Sequence, residues 1–408
     1  MSKKYDLAIV GGGIAGSALA TVMARAGKSV LVLEKTTAYP DLVRGEWLAP
    51  WGVFEARRVG LLSDLVQAGG HYLRRHIAFG EGIDPVEAIA GARDMSNLLP
   101  GVLGPLSLRH PIACQALTDA AQAAGATVLR GVSKVGLAAG PSVSYMHEGS
   151  EQHVTARLVI GADGRNSVVR SQAGIPLQRD ATHHLFSGML VEGAEGWPED
   201  AQTKGTEGDV NFLVFPQGKG VLRLYLGYAL EQKTRLTGPD APQRFLAAFN
   251  LSSVPWSEAI VNATPISHCH SYPNEDTWTE FPYVEGVVLI GDAAGHNDPI
   301  TGQGLSISMR DVRIVSELLL GAEDWQSPLF APYAEERKER MRRLRFAAAL
   351  QSALDSEFTP EAVARRTRAD QRKAADPSLN LTSASGIVGP EMLPAEAFSQ
   401  ETWDRILA

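Results

Sequence analysis

Three glycines near the N-terminus restrict the possible folds of this 408-residue chain more than any other feature. Gly11, Gly13 and Gly16 form a G-x-G-x-x-G pattern between the apolar stretch Tyr5–Val10 and a segment with helical spacing. A second apolar run, Ser29–Lys35, follows that segment. Continuous apolar runs of this kind are typical of strands in parallel sheets that are buried on both faces. We therefore expect a βαβ unit that opens a Rossmann-like domain.

The same pattern predicts a dinucleotide ligand. Glycines at this spacing allow a tight turn, close approach of the backbone to a pyrophosphate, and close packing of helix on strand. The helix after Gly13 directs free N–H groups and the positive end of its dipole at the phosphates. Glu34 ends the second strand, where an acid accepts hydrogen bonds from ribose hydroxyls. A glycine-rich turn without a ligand is the alternative, and NAD and FAD are equally compatible with this pattern.

Composition excludes several other classes of protein. The chain is 44% hydrophobic and 21% charged, with a net charge of −8, so it gives no global reason to expect nucleic acid as a partner. It has two cysteines and no C-x-x-C pair, which favours a reducing compartment. No stretch approaches the roughly 20 apolar residues of a membrane span. We expect a cytoplasmic protein without an integral membrane segment, either a monomer or a homodimer.

A second motif, GADGRNSVVR, covers residues 161–170. It places Asp163 and Gly164 directly after a predicted strand. Taken alone, Asp163 is expected to cap a turn, which is a common role for aspartate.

A third motif begins at the end of a predicted strand near the C-terminal third of the chain. Asp292 at that strand end can bond polyol hydroxyls, while Gly302 and Gly304 let the backbone approach a flat ring without interference from Cβ atoms. A helix over Gly304–Leu320 would direct its N-terminus at the ring and stabilise negative charge there. The motif therefore fits a planar, redox-active group that becomes anionic when it is reduced.

In this order and at these separations, the three motifs resemble those of the single-component FAD-dependent aromatic hydroxylases, of which p-hydroxybenzoate hydroxylase is the type. The resemblance covers roughly residues 5–320. It implies FAD as cofactor, NAD(P)H as co-substrate, and no separate NAD(P)H-binding domain. The implied reaction is hydroxylation of an aromatic or polycyclic small molecule by O2 through a flavin C4a-hydroperoxide.

The resemblance and the order of elements together predict an α/β fold. A Rossmann-like FAD-binding domain is expected over 1–75, 107–175 and 281–320, with an inserted β-sheet substrate domain over 76–106 and 176–280. A helical C-terminal region is expected over 321–408. Within these regions, residues 76–106 read as irregular and 377–390 as a loop, because both are rich in residues that break regular structure.

The resemblance also assigns site residues. Those expected to bind the cofactor are Gly11, Gly13, Ile14, Ala15, Gly16, Glu34, Lys35, Arg44, His110, Asp163, Asp292, Pro299, Gly302, Gly304 and Leu305. The chain departs from the family at three of its positions, because the family usually has arginine where His110 stands, histidine where Gly295 stands and asparagine where Ser306 stands.

The catalytic residues expected from the resemblance are His296, Pro299 and Arg223. Arg223 would lie near the flavin, although an exposed strand residue is an equal alternative. The sequence does not identify a general base. Of the candidates, His296 is the best because it lies inside the third motif, ahead of His183, His184, Tyr225 and Tyr228, and a structural or solvent-facing role is the favoured alternative for each of them. No metal site is expected, since His268 and His270 alone offer too few ligands.

Two rival functions stay open from the sequence. One is a flavin-dependent reductase of polyprenyl-type double bonds, and the other is a flavin-binding protein without turnover. A flavin halogenase is disfavoured because the chain lacks the Trp-x-Trp-x-Ile-Pro motif of those enzymes.

Overall fold

The computed structural model describes residues 4–41, 43 and 45–408, so the predicted flavin contact Arg44 lies outside the described residues. The strands in chain order are β1 (Lys4–Val10), β2 (Val30–Glu34), β3 (Trp47–Leu48), β4 (His71–Tyr72), β5 (Arg75–Gly80), β6 (Arg93–Asp94), β7 (Leu106–Ser107), β8 (Thr127–Arg130), β9 (Ser133–Ala138), β10 (Ser142–His147), β11 (Ser150–Gly161), β12 (Gln178–Arg179), β13 (His184–Glu192), β14 (Ala201–Glu207), β15 (Val210–Gly218), β16 (Val221–Tyr228), β17 (Thr264–Pro265), β18 (His270–Asn274), β19 (Thr277–Trp278), β20 (Tyr283–Val284) and β21 (Val287–Leu289). The α-helices are α1 (Ile14–Arg25), α2 (Pro50–Arg58), α3 (Leu62–Gln67), α4 (Pro85–Ala90), α5 (His110–Ala123), α6 (Val168–Gln172), α7 (Ala241–Ala247), α8 (Ser257–Val261), α9 (Gly304–Gly321), α10 (Ala331–Asp355), α11 (Pro360–Ala375), α12 (Leu381–Val388) and α13 (Gln400–Leu407).

The first large sheet is the predicted Rossmann-like layer. Its central strands run in the order β21-β11-β1-β2-β8 and pair in parallel, with β20 added antiparallel at one edge. Every residue of β2 is buried, as its unbroken apolar sequence requires for a strand covered on both faces. Helices α1, α5 and α9 pack on this layer, and parallel strands place all their carboxyl ends at one edge of the sheet. The glycine-rich turn, the second motif and the third motif therefore meet there.

The second large sheet is mostly antiparallel, with the order β17-β13-β16-β15-β14-β5-β6. Its strands lie within residues 75–94 and 184–274, close to the predicted substrate domain, whose exact boundaries stay a prediction. Side chains alternate between its two faces. One face packs on α7 and α8 through a buried apolar cluster, which includes Phe212, Leu224 and Phe245. The other face is turned toward the third motif and carries Phe186, Leu213 and Tyr225, which cluster with Ile300.

Two local expectations were wrong. Residues 76–106 were expected to be irregular, but they contain most of β5, all of α4 and β6, and the start of β7. Residues 377–390 were expected to be a loop, but they contain helix α12. Small side chains allow α12 to pack closely on the third motif, since a Cβ added at Gly386 would lie 3.0 Å from the Gln303 amide. Tertiary packing thus overrides the low helix propensity of this segment.

A buried ion-pair cluster joins α10, the first α-helix of the C-terminal region, to the turn that follows β21. Asp311, fully buried in α9, accepts a hydrogen bond from the Gly291 amide at 2.8 Å and pairs with Arg337 at 3.1 Å and Arg340 at 2.6 Å. Burial opposes ionisation of Asp311, but the two guanidinium groups hold its pKa below the ordinary value. The Arg337 guanidinium also donates to three backbone carbonyls of the turn, those of Gly291, Ala294 and Gly295.

Replacing Asp311 by asparagine should destabilise the protein by about 3 kcal/mol, because it removes the counter-charge of buried Arg337 and one of the two carboxylate partners of buried Arg340. Urea unfolding followed by far-UV circular dichroism measures this loss. Asp119→Asn, at an exposed position on α5, is the matched control and should change the free energy of unfolding by less than about 0.5 kcal/mol. Equal stability of the two variants would show that the cluster does not hold the turn.

Candidate functional site

The glycine-rich turn has the geometry of a phosphate-binding loop. A Cβ added at Gly11 would lie 2.4 Å from the Ala162 carbonyl oxygen, and one added at Gly16 would lie 1.9 Å from the Gly11 oxygen. These two glycines are therefore required by packing within the protein. Gly13 differs, because a Cβ added there meets no described protein atom within 4 Å. Gly13 precedes α1 and faces open space, as a residue that touches a ligand should.

Side chains from α1, α5 and the segment after β2 hold this turn in place. Glu34 Oε2 accepts from the Gly12 amide at 2.6 Å, and its Oε1 accepts from Thr36. The Tyr39 hydroxyl donates to the Gly12 carbonyl and contacts Thr118 Oγ1 at 2.7 Å. A carboxylate offers about four lone-pair positions, so these bonds leave Glu34 able to accept from a ribose. Tyr39 and Thr118 were missed from the sequence because nothing in their spacing marks them.

The second motif is held in place by the side chain of its aspartate. Asp163 accepts from Ser167 Oγ at 2.5 Å and from the Val168 amide at 2.7 Å, so its carboxylate caps α6. This is the turn-capping role expected for Asp163 on its own. Arg165, two residues later, reaches toward the third motif and lies 3.4 Å from Asp292.

The third motif forms a tight loop between β21 and α9. Gly295 has φ of +109°, and a Cβ there would lie 2.4 Å from the Thr277 oxygen, so this position cannot carry the histidine usual in the family. His296 is buried, and its Nδ1 lies 2.7 Å from Thr277 Oγ1. Burial, with Arg165 nearby, lowers the pKa of His296 to about 4. Burial and the neighbouring Asp276 raise the pKa of Asp298 to about 7.

A single cavity of about 760 Å³ connects the three motifs with the second sheet. The N-termini of α1 and α9 both border it, at Gly13 and Gly304. The predicted cofactor residues that line it are Gly13, Ile14, Ala15, His110, Asp292, Pro299, Gly302, Gly304 and Leu305. Gly11, Gly16, Glu34, Lys35 and Asp163 do not line it, and Lys35 is exposed. The cavity wall also includes α12, which the sequence did not indicate.

Of the predicted catalytic residues, His296, Pro299 and Arg223 all line the cavity. Arg223 is fully buried, which excludes the alternative of an exposed strand residue. Its guanidinium pairs with Glu46 at 2.8 Å and with Asp41 at 3.0 Å, and these partners raise its pKa against the opposing effect of burial. Among the described residues, Arg223 Nη1 has no hydrogen-bond partner. A buried donor of this kind requires an acceptor from a ligand or from water.

Only one of the four weaker candidates for the general base lines the cavity. Tyr225 lines the cavity, whereas Tyr228, His183 and His184 do not. His184 is buried against Asn274, and burial lowers its pKa to about 3.

Among the residues described, no group of three or more histidine, cysteine or acidic side chains could hold a metal ion. In the same part of the chain, no helix is long and apolar enough to cross a bilayer.

These observations fit FAD. A pyrophosphate can meet the free N–H groups after Gly13, a polyol chain can meet Asp292, and a flat ring can lie against Pro299–Leu305 below the N-terminus of α9. Gly13, with open space at its Cα, and Arg223, whose Nη1 has no partner among the described residues, both line this cavity. The fold and the site therefore define a flavin-binding oxidoreductase.

Comparison with known proteins supports this class. Residues 4–348 match the sequence model of the FAD binding domain family, so the chain belongs to that family and FAD is its cofactor. The chain is 28% identical over 367 residues to 3-demethoxyubiquinol 3-hydroxylase from Escherichia coli K12, covering 86% of this chain and 88% of that protein. It is also 28% identical over 323 residues to digeranylgeranylglycerophospholipid reductase 1 from Methanococcoides burtonii, covering 76% and 72% of the two chains.

The fold has a solved counterpart in PqsL, a probable FAD-dependent monooxygenase from Pseudomonas aeruginosa. The TM-score is 0.74 at 19% identity, over 87% of this chain and 98% of PqsL. The predicted α/β fold and the predicted resemblance to FAD-dependent hydroxylases are therefore confirmed.

Alanine substitutions at two glycines should separate cofactor contact from folding. Gly13→Ala should leave the apoprotein within about 0.5 kcal/mol of wild-type stability, because no protein atom opposes the new Cβ. Its FAD affinity should fall at least about tenfold, because the methyl group enters the pyrophosphate position. Gly16→Ala should instead destabilise the apoprotein by about 2 kcal/mol through overpacking.

Fluorescence titration of apoprotein with FAD, together with thermal unfolding, measures both properties. If Gly13→Ala binds FAD as tightly as the wild type, the pyrophosphate does not lie at this turn.

Proposed function

We propose that this flavoenzyme is a monooxygenase that hydroxylates an aromatic or polycyclic small molecule at the expense of NAD(P)H and O2. The observation that carries the proposal is the continuous cavity between the flavin motifs and the aromatic face of the second sheet. The overall reaction would consume the substrate, O2, NAD(P)H and a proton, and release the hydroxylated product, NAD(P)⁺ and water. The bound FAD would supply the redox chemistry, by accepting electrons from NAD(P)H and activating O2.

The substrate face of the cavity is built for a planar apolar ring. The Phe186 and Tyr225 rings lie 6.4 Å apart, and the Phe215 ring stands edge-on to Tyr225 at 6.1 Å. Gly188 makes this arrangement possible, because a Cβ there would lie 2.9 Å from the Tyr225 ring. Burial raises the pKa of Tyr225, so its phenol stays protonated and can donate a hydrogen bond. Apolar walls also exclude water, which protects reactive oxygen species from wasteful breakdown.

Arg223 lies on the same sheet face as these aromatic side chains and is one strand away from Phe215. Glu46 receives two of its N–H donors, at Nε and Nη2, and Asp41 also accepts from Nη2. The guanidinium is thereby fixed, with Nη1 left to donate to an oxygen in the cavity. The two carboxylates offset the guanidinium charge, but a fixed N–H donor at this point would stabilise negative charge that develops on the flavin or on a phenolic substrate.

His296→Ala should lower the rate of hydroxylation about tenfold or more while FAD stays bound. His296 lines the cavity, and its pKa of about 4 makes it a neutral hydrogen-bonding group across the physiological range. Between pH 6 and pH 9 the ratio of variant to wild-type rates should therefore stay constant. Steady-state rates and flavin absorbance at several pH values measure this. Loss of FAD from the variant would instead assign His296 a structural role, and a ratio that changes around pH 6–7 would contradict the neutral state.

The proposed function is tested directly by turnover of the FAD-loaded protein. NADH and NADPH oxidation are measured with a panel of phenolic and polycyclic compounds, and the products are identified by mass spectrometry. At least one compound should stimulate oxidation of a nicotinamide and gain one oxygen atom. If neither nicotinamide is oxidised with any compound, the proposal is wrong in this single-component form. Saturation of a polyprenyl double bond without consumption of O2 would favour the reductase.

A further inference from the structure

The cavity-facing surface of the second sheet ends in three basic side chains: His76 on β5, Arg93 on β6 and Lys204 on β14. We call them the basic corner. Backbone pairing places His76 beside Arg93 and beside Gln202, two residues before Lys204, so all three side chains project from the same sheet face. All three line the cavity.

A chain of hydrogen bonds fixes the state of His76. Trp47 Nε1 is only a donor, so the Gln202 atom 2.6 Å away must be the acceptor Oε1. Gln202 Nε2 is then a donor, and it points at His76 Nδ1 at 3.2 Å. Burial, with Lys204 and Arg93 nearby, lowers the pKa of His76 to about 3, so the ring is neutral. Because Nδ1 accepts, the single proton of the neutral ring resides on Nε2, and the ring offers this one N–H as a donor.

The corner therefore presents donors to the cavity. Arg93 makes no side-chain hydrogen bond or ion pair with any described residue. Lys204 has one carboxylate partner, Asp355 at 3.6 Å, which does not line the cavity, while Asp370 and Lys373 lie further along the C-terminal helices. Of the described residues that line the cavity, only Glu46 and Asp292 are acidic, and both belong to the flavin side. Glu46 is already paired with Arg223.

We propose that the basic corner binds a carboxylate on the aromatic substrate. The proposal rests on the proposed function for the reaction and adds the chemical class of the substrate. Lys204 has an acidic partner outside the cavity, Asp355 at 3.6 Å. Arg93 and His76 Nε2 have none among the described residues, and an anionic acceptor in the cavity would form strong hydrogen bonds with them.

Strand register sets the length of this substrate. Lys204 pairs with Leu213, which pairs with Tyr225, so two strand spacings separate Lys204 from the aromatic wall. His76 and Arg93 lie one and two strands further out. At about 4.8 Å for each spacing, a carboxylate held at Lys204 lies about 10 Å from Tyr225, and one held further toward Arg93 lies beyond that. A biaryl or bicyclic acid spans this distance, whereas benzoate is too short to reach both places.

The test compares biphenyl-4-carboxylate with its neutral amide as ligands of the FAD-loaded protein. Affinities are measured by calorimetry and by the change in flavin absorbance. The acid should bind at least about tenfold more tightly, as expected for hydrogen bonds to a charged group, and high salt should reduce this preference. Arg93→Met and Lys204→Met should each reduce the preference severalfold without changing the affinity for the amide. Lys233→Met, at an exposed position outside the cavity, is the control and should retain the preference.

The Lys204→Met variant loses the Lys204–Asp355 pair, and this loss could perturb folding. Arg93 is exposed and has no partner among the described residues, so the Arg93→Met variant keeps the test valid in that case. Equal affinity for acid and amide, including no binding of either, overturns the inference, as does a preference that survives both substitutions together. Oxygenation of neutral aromatics with no preference for acids would reject the corner but keep the proposed function. Tight binding of the acid without any oxygenation would keep the corner and reject the proposed function.

Discussion

The buried contact between Asp311 and two arginines of α10 is the interaction on which the flavin side of this structure depends. The turn that follows β21 exposes several backbone carbonyls at the point where the sheet ends. Arg337 donates to three of them, and Asp311 accepts from the Gly291 amide and pairs with Arg337 and Arg340. Arg340 has a second carboxylate partner, Glu336. Because the desolvation of three charged groups is costly, the cluster is stable only when all of its members are present. Helix α10 is thus a structural part of the flavin site.

The second sheet divides its chemistry between two faces by the alternation of its strands. One face carries a buried apolar cluster that packs on α7 and α8, so it contributes stability. The other face changes along its width, from Arg223 and the aromatic rings near the flavin motifs to the basic side chains on β5, β6 and β14. A substrate bound on this face would meet an apolar surface at the reacting ring and charged donors at its far end. A substrate held at both ends would have its reacting ring fixed in one orientation relative to the flavin.

The fold was predictable because its strongest signals are local. The glycine spacing, the unbroken apolar strands and the helix at Gly304–Gly321 each depend on neighbouring residues, and each was found where expected. Helix α12 was not predictable, since its residues Ser383–Gly386 become helical only by packing on the third motif. The same limit applies to the site. Gly13 and Asp292 lie in sequence motifs. Tyr39, Gln202 and His76 are brought to the site by strand register and tertiary contacts, which leave no periodic pattern in the sequence.

The origin of the oxygen atom in the product tests the central claim most directly. The FAD-loaded protein would be incubated with NAD(P)H and a compound that it hydroxylates under oxygen-18 gas. A parallel reaction would use oxygen-18 water under ordinary O2. A monooxygenase must place one atom from O2 into the product, so mass spectrometry should detect the label only in the reaction under labelled gas. Label derived from water, or a product that has gained hydrogen and no oxygen, would contradict the assignment of this flavoprotein as a monooxygenase.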